Sequence, residues 1–357
     1  MLKNLQALRA VAALMVVFHH AYSSEDFTRP LPVGDVFMAS GVDIFFILSG
    51  FVMVLSTWSS DRGPLQFWEA RIVRIAPVYW IATLGFVVLF AIGMRPAGLM
   101  ALDLSDVVTS LFFIPDVRAD GSQKPIIMLG WTLNYEMFFY LLFGAVLALG
   151  SRVRGLIGVA VLLGLLAMIG LAARPENFYL AFYTNPILLE FVFGTGLGWL
   201  YMRHRPNPGA LGGYVGVGLL VAGFGALALS EARGFMLDDV AQERWRFLVY
   251  GVPAAAIVWG AVLMERRGWA AAAGWVQLLG AASYAIYLFH MYVLQPVDRV
   301  AQRVVPFDGD AAQFLIVAAM VAASAVAGVL VHLFIEKPVT RLIKSLRSGR
   351  TAGAAAV

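Results

Sequence analysis

The sequence predicts an all-α polytopic membrane protein with about ten transmembrane helices and both termini in the cytoplasm. Three observations predict it. Of 357 residues, 61% are hydrophobic and 13% charged, against about 45–50% apolar and about 25% charged in soluble domains. Apolar runs long enough to cross about 30 Å of hydrocarbon recur along the whole chain. Basic residues divide unequally between alternate connecting segments, as the positive-inside rule requires.

A mean hydropathy of +0.79, with 25 Phe and 35 Gly, suits lipid-facing surfaces and close helix packing. With no cysteine, disulfides, thiolate metal sites and cysteine nucleophiles are excluded. No metal site is expected.

The spans fall at 5–23, 36–57, 72–93, 130–149, 154–172, 185–202, 211–230, 247–264, 281–300 and 311–334. The first, LRAVAALMVVFHH, is followed by no small-residue cleavage site, so it is expected to be a retained helix rather than a signal peptide. The ninth is the weakest, because Ser283, His290 and Asp298 interrupt it. The connecting segments that include Lys3, Arg71 and Arg74 hold fifteen basic residues, and the opposite ones ten. That bias places the former side and both termini in the cytoplasm. The 94–129 stretch contains DLSDVVTSLFFIPD, expected to be an interfacial helix on the outer surface. Residues 1–345 form one membrane domain, and 346–357 are expected to be a disordered cytoplasmic tail.

Ionisable groups inside a bilayer cost about 3 kcal/mol or more unless paired or hydrated, which makes each a functional candidate. Arg9 and His20 are eleven residues apart. At 100° per residue they share one helix face, roughly 16 Å apart along the axis. His19 points roughly 80° away and reads as an interfacial companion. In the second span, GVDIFFILSGF sets Asp43 at a depth similar to that of His20, where a carboxylate would orient the imidazole. A structural cap or ion pair is the alternative. The third span opens with ARIVRIAP, whose Arg71 and Arg74 lie on one face at the cytoplasmic end. Guanidinium forks suit a phosphate; positive-inside anchoring is the plainer reading, and Arg9 near the same end favours an anion site.

The fourth span begins LGWTLNYEMFFY. It supplies Trp131 as an interfacial anchor and Glu136, roughly 9 Å below the outer surface, facing a cavity or another helix. Glu190 also lies in the outer half of its span, where a packing hydrogen bond accounts for it equally well. In GAASYAIYLFHMYV, Ser283, Tyr287 and His290 form one polar stripe at spacings of four and three, suited to interhelical hydrogen bonding. His332 and Glu336 read as structural or interfacial. The sum is a polarity: arginines line the inner part, while carboxylates and His20 line the outer part.

The ordered series LRAVAALMVVFHH, GVDIFFILSGF, RIVRIAP, WTLNYEMFFY, SYAIYLFH and IEKP resembles acyltransferase family 3 of integral membrane acyltransferases, and its ExoZ-like branch of exopolysaccharide O-acetyltransferases. The resemblance maps the family's first-helix arginine and histidine onto Arg9 and His20, and its paired arginines onto Arg71 and Arg74. It maps the acidic residue after a tryptophan onto Glu136, where many members have two adjacent acidic residues and this chain has one. It implies transfer of an acyl group, commonly acetyl from acetyl-CoA, to sugar hydroxyls of cell-surface glycans. Many members carry an added hydrolase-like domain that this sequence lacks, so acceptor delivery would fall to the membrane domain or to other proteins.

The resulting expectation is an acyl-CoA-dependent O-acyltransferase of the bacterial inner membrane. His20, Asp43 and Glu136 are expected to be catalytic, and Arg9, Arg71 and Arg74 to hold the phosphates of acetyl-CoA or another acyl-CoA. Trp131, Asn134, Tyr287 and His290 are expected at the acceptor. The expected partners are a glycan or lipid-linked oligosaccharide, acyl-CoA, the lipid bilayer and polysaccharide-assembly proteins, with no nucleic acid. The rival readings are a proton-coupled transporter, against which no inverted repeat or broken helix pair is visible, and a subunit of a polysaccharide export complex.

Overall fold

A computed structural model of the chain describes residues 2–24, 34–58, 63–96, 99–118, 120–148, 150, 152–204, 209, 211–235, 243–304 and 309–354. Arg29, Arg62 and Arg205, which contribute to the expected charge bias, lie outside the described residues. Every regular element among the described residues is helical. In order these are α1 (Lys3–Tyr22), α2 (Asp35–Ala39), α3 (Gly41–Trp58), α4 (Pro64–Ala91), α5 (Leu104–Leu111), α6 (Gly130–Leu147), α7 (Arg152–Ala173) and α8 (Phe178–Tyr183). They continue with α9 (Leu188–His204), α10 (Gly212–Ala232), α11 (Val252–Arg266), α12 (Gly274–Val304), α13 (Asp310–Val331) and α14 (Lys337–Ala354). Single π-helical turns, Phe247–Gly251 and His332–Glu336, lead into α11 and α14.

Among the described residues, nine helices are long and apolar enough to cross a membrane, and they coincide with nine of the ten expected spans. The tenth, expected at 130–149, is the 18-residue α6. It falls short in composition because Thr132, Asn134 and Glu136 crowd its first two turns. The third span begins earlier than expected, since Pro64 starts α4 at a position where its missing N–H is no loss. The expected tail, 346–357, begins inside α14, and 355–357 lie outside the described residues.

The helices sort by exposure. Outward faces of α4, α7, α10 and α13 display Val88, Leu165, Val221 and Val326, each more than half exposed. In water such surfaces would be a liability; against lipid tails they are neutral. The interior belongs to α1, α3, α6, α9, α11 and α12. Helix α1 is clasped between α3 and α12 by two glycines. A Cβ on Gly41 would collide with the carbonyl of Ala12, and one on Gly280 with that of Gln6. Small residues let backbones approach this closely, and the clasp fixes which neighbours the face bearing Arg9 and His20 meets.

The 94–129 segment does form a helix, α5. Asp103 accepts from the Asp106 N–H at 2.9 Å while Asp106 accepts from the Asp103 N–H at 3.0 Å, a reciprocal cap that starts it. Leu104 and Val108 face out, whereas Asp106 and Ser110 face in. The Trp80 indole donates to the carbonyl of Leu111 at 2.7 Å, tying α5 to α4.

Candidate active site

One face of α3 builds a cavity. Val42, Phe45, Phe46, Ser49, Val52 and Met53 line it at helical spacing, so it runs roughly 16 Å along the helix at 1.5 Å per residue. Helix α1 contributes Arg9, α4 contributes Arg74, α6 contributes Glu136 and Tyr140, and α12 contributes Ser283, Tyr284 and Tyr287. Four expected site residues from four helices, Arg9, Arg74, Glu136 and Tyr287, therefore share one chamber.

Its polar groups are satisfied unequally. Glu136 accepts from the hydroxyl of Ser49 at 3.0 Å and from that of Tyr140. Tyr284 donates to the carbonyl of Ile75 at 2.9 Å. The guanidiniums of Arg9 and Arg74 have no hydrogen-bond or ion-pair partner among the described residues, and the buried Ser283 hydroxyl has no hydrogen bond. Arg71 does not line the chamber. It is buried one turn away, with its guanidinium 5.6 Å from the Phe67 ring centroid.

His20 is not among the residues that line the cavity. Its Nδ1 is 3.0 Å from the Val16 carbonyl and 3.3 Å from Nε2 of His290. His290, fully buried on α12, places its own Nδ1 3.3 Å from the Ile286 carbonyl. The Tyr287 ring, on the cavity wall, lies 6.3 Å from the His290 ring, and its hydroxyl shares a 2.8 Å hydrogen bond with Thr132. A short chain of rings thus connects the chamber to His20.

Asp43 is elsewhere, and the expectation that it orients His20 is corrected. Its two oxygens accept from Nε and Nη2 of Arg246, both at 2.8 Å, in a buried bidentate pair. The reason is angular. Asp43 is 100° round α3 from Val42, off the cavity face and toward α11. Glu190, fully buried, interacts electrostatically with this pair, and the Arg246 guanidinium lies 5.9 Å from the Trp131 ring and 5.8 Å from that of Tyr250. Of the expected acceptor residues, Tyr287 lines the cavity, Trp131 packs on Arg246, His290 meets His20, and Asn134 is buried with its Oδ1 unbonded among the described residues.

Residues 2–333 match a family model described as an acyltransferase domain, Acyl_transf_3. The chain belongs to the acyltransferase 3 family. This acyltransferase is 33% identical over 323 residues to the exopolysaccharide production protein ExoZ of Rhizobium meliloti (strain 1021), covering 89% of this chain and 93% of that protein. It is 27% identical to the acyltransferase MdmB of Streptomyces mycarofaciens, over 98% of this chain and 95% of that one. It is 25% identical to the putative peptidoglycan O-acetyltransferase YrhL of Bacillus subtilis (strain 168), over 94% of this chain but 54% of YrhL, so it spans about half of that relative. No solved structure matches.

Several cavity and core residues of this acyltransferase escaped the sequence reading. Tyr140 could have been found, because it stands four residues after Glu136 on the same helix face. Ser49 and Tyr284 carry no such signal. Arg246 reads as a loop charge, and only a pairing across 203 residues makes it the partner of Asp43.

Proposed function

We propose that this multi-pass membrane acyltransferase moves an acyl group, acetyl in the first instance, from cytoplasmic acyl-CoA to a hydroxyl of an exported glycan. The observation that carries the donor is the pair of guanidiniums, Arg9 and Arg74, which make no direct hydrogen bond or salt bridge among the described residues in a largely apolar chamber whose lining carboxylate, Glu136, acts on Arg9 only at longer range. An unpaired charge in such surroundings is costly, and a phosphate supplies the missing partner in fork geometry. Arg71, one turn away on α4, adds positive charge at the same end. The acceptor class follows the printed names of the relatives, exopolysaccharide production for ExoZ and peptidoglycan O-acetylation for YrhL. In this reading the Lys3 end of the bundle and both termini face the cytoplasm, and the membrane is the bacterial inner membrane.

The pantetheine arm would run along α3 from Met53 toward Val42, a length comparable with the axial separation of Arg9 and His20. His20 is the general base. With Nδ1 protonated toward the Val16 carbonyl, Nε2 keeps its lone pair, and it has no hydrogen-bond partner among the described residues. The acceptor O–H gives its proton to Nε2 as its oxygen bonds to the thioester carbonyl carbon. The C–S bond then breaks, and the leaving sulfur takes the proton back from the imidazolium. Glu136, fixed by Ser49 and Tyr140, holds the acceptor or assists the proton transfer.

The experiment is His20→Ala in a strain lacking the chromosomal gene. Glycan O-acetylation, read by mass spectrometry, should disappear while the protein remains at wild-type level in the membrane. Acetylation that persists sinks the assignment.

A further inference from the structure

We propose that His290 is a positioning residue for His20: its Nε2 accepts from His20 Nδ1–H beside the Val16 carbonyl, helps hold the tautomer that bares the catalytic nitrogen, and stabilises the imidazolium formed during transfer. The proposal rests on the reading of His20 as the base. Hydrogen-bond directions along the chain of rings are mutually consistent in one arrangement. His290 Nδ1 faces the Ile286 carbonyl at 3.3 Å, and a carbonyl only accepts, so that nitrogen carries the proton. In the neutral ring Nε2 is then an acceptor. It faces His20 Nδ1 at 3.3 Å, and His20 Nδ1 also faces the Val16 carbonyl at 3.0 Å. Both neighbours of that nitrogen accept, so it is the protonated one, and the free lone pair of His20 is on Nε2.

The chemistry explains why a second imidazole suits this position. When His20 takes the acceptor's proton it becomes a cation, and its Nδ1–H bond to His290 becomes charge-assisted, roughly twice as strong as before. The gain appears only as the transition state is approached, which is the condition for raising kcat rather than lowering KM. A carboxylate would do the same at the cost of another buried negative charge. Here the carboxylate that depth along the membrane suggests, Asp43, is occupied by Arg246, and a neutral ring performs the task. His290 is held rigidly for it: the residue is fully buried and edge-on to Tyr287 at 6.3 Å. Tyr287 is in turn hydrogen-bonded to Thr132.

The test uses the full chain in lipid nanodiscs, with acetyl-CoA as donor and deacetylated surface polysaccharide of the host strain as acceptor. His290→Leu removes the acceptor nitrogen, and kcat should fall about tenfold, the rate equivalent of one hydrogen bond, with KM for acetyl-CoA unchanged. His290→Gln carries an acceptor oxygen at about the position of Nε2 and should recover most of the rate. His290→Asn stops one bond short and should be as slow as His290→Leu. If the leucine variant does not fold, the contrast between Gln and Asn carries the same information. Wild-type kcat in His290→Leu, equal rates for Gln and Asn, or a change confined to KM would each overturn the proposal. His20→Ala run alongside separates the two levels: activity in that variant removes the base itself, whereas an inactive His20→Ala beside a fully active His290→Leu removes only the positioning role.

Discussion

Two groupings of arginine and carboxylate flank α3, and the bundle treats them in opposite ways. On one side Asp43 and Arg246 satisfy each other through two 2.8 Å hydrogen bonds, with the buried carboxyl of Glu190 beside them. On the other, Glu136 accepts from the hydroxyls of Ser49 and Tyr140, and the guanidiniums of Arg9 and Arg74 make no direct salt bridge to it. The residue types are the same. What differs is whether the carboxylate is given to a cation or to hydroxyl groups. A buried cation matched within the chain joins elements, whereas one beside a cavity without a direct partner is open to a ligand.

The largest effect should come from breaking the matched side. Arg246→Met leaves the Asp43 carboxyl without its partner in the interior, costing about 3–5 kcal/mol, and the thermal unfolding temperature in nanodiscs should drop accordingly. Adding Asp43→Leu should restore most of the loss, since two apolar groups of similar volume leave no orphan charge. If Arg246→Met is as stable as wild type, the pair is no structural joint.

The unmatched side should respond the other way round. Arg9→Ala or Arg74→Ala removes a charge that makes no direct hydrogen bond or salt bridge among the described residues, so the stability loss should stay below about 1 kcal/mol, well short of that at Arg246. Each should raise KM for acetyl-CoA about 10- to 100-fold, because a hydrogen bond to a charged group is worth about 1.5–3 kcal/mol. A large stability loss in Arg9→Ala would erase the distinction between the two sides. A smaller change is expected for Tyr140→Phe, which deletes one of the two hydroxyls holding Glu136. About a fivefold fall in kcat corresponds to one hydrogen bond of about 1 kcal/mol.

This asymmetry also marks where sequence reasoning reached. Span positions, Arg9 with His20 on one face, and Arg74 and Glu136 as groups facing a cavity were legible because each depends on local periodicity and on the cost of charge in lipid. The partner of Asp43 was not. Depth along the membrane put Asp43 level with His20, but the angle round α3 and the position of Arg246 decide the contact, and the latter follows from how α11 packs rather than from any spacing. His290 was read as one member of a stripe and proves to be the ring against His20, again through a contact between helices 270 residues apart. Arg71 shares its face with Arg74 by spacing, yet one turn along α4 takes it out of the chamber and over Phe67.

The smallest effect should arise away from both groupings, at the start of α5. Asp103 accepts from the Asp106 N–H and from the Ser105 hydroxyl, and these bonds hold its carboxyl below the usual carboxylate range. A carboxyl with a lower pKa in the folded state stabilises that state above its unfolded pKa, and the contribution is lost as pH falls through the depressed folded value. Helix α5 should therefore loosen only in acid, seen as faster amide exchange at Leu104–Val107 once the intrinsic pH dependence is removed. Asp103→Asn keeps a capping oxygen and should abolish this pH dependence, leaving acetyl transfer at neutral pH unchanged. If that substitution alters kcat, the cap of α5 is coupled to the chamber through α4, where Trp80 holds α5 six residues beyond Arg74, and the unmatched side extends further than its two arginines.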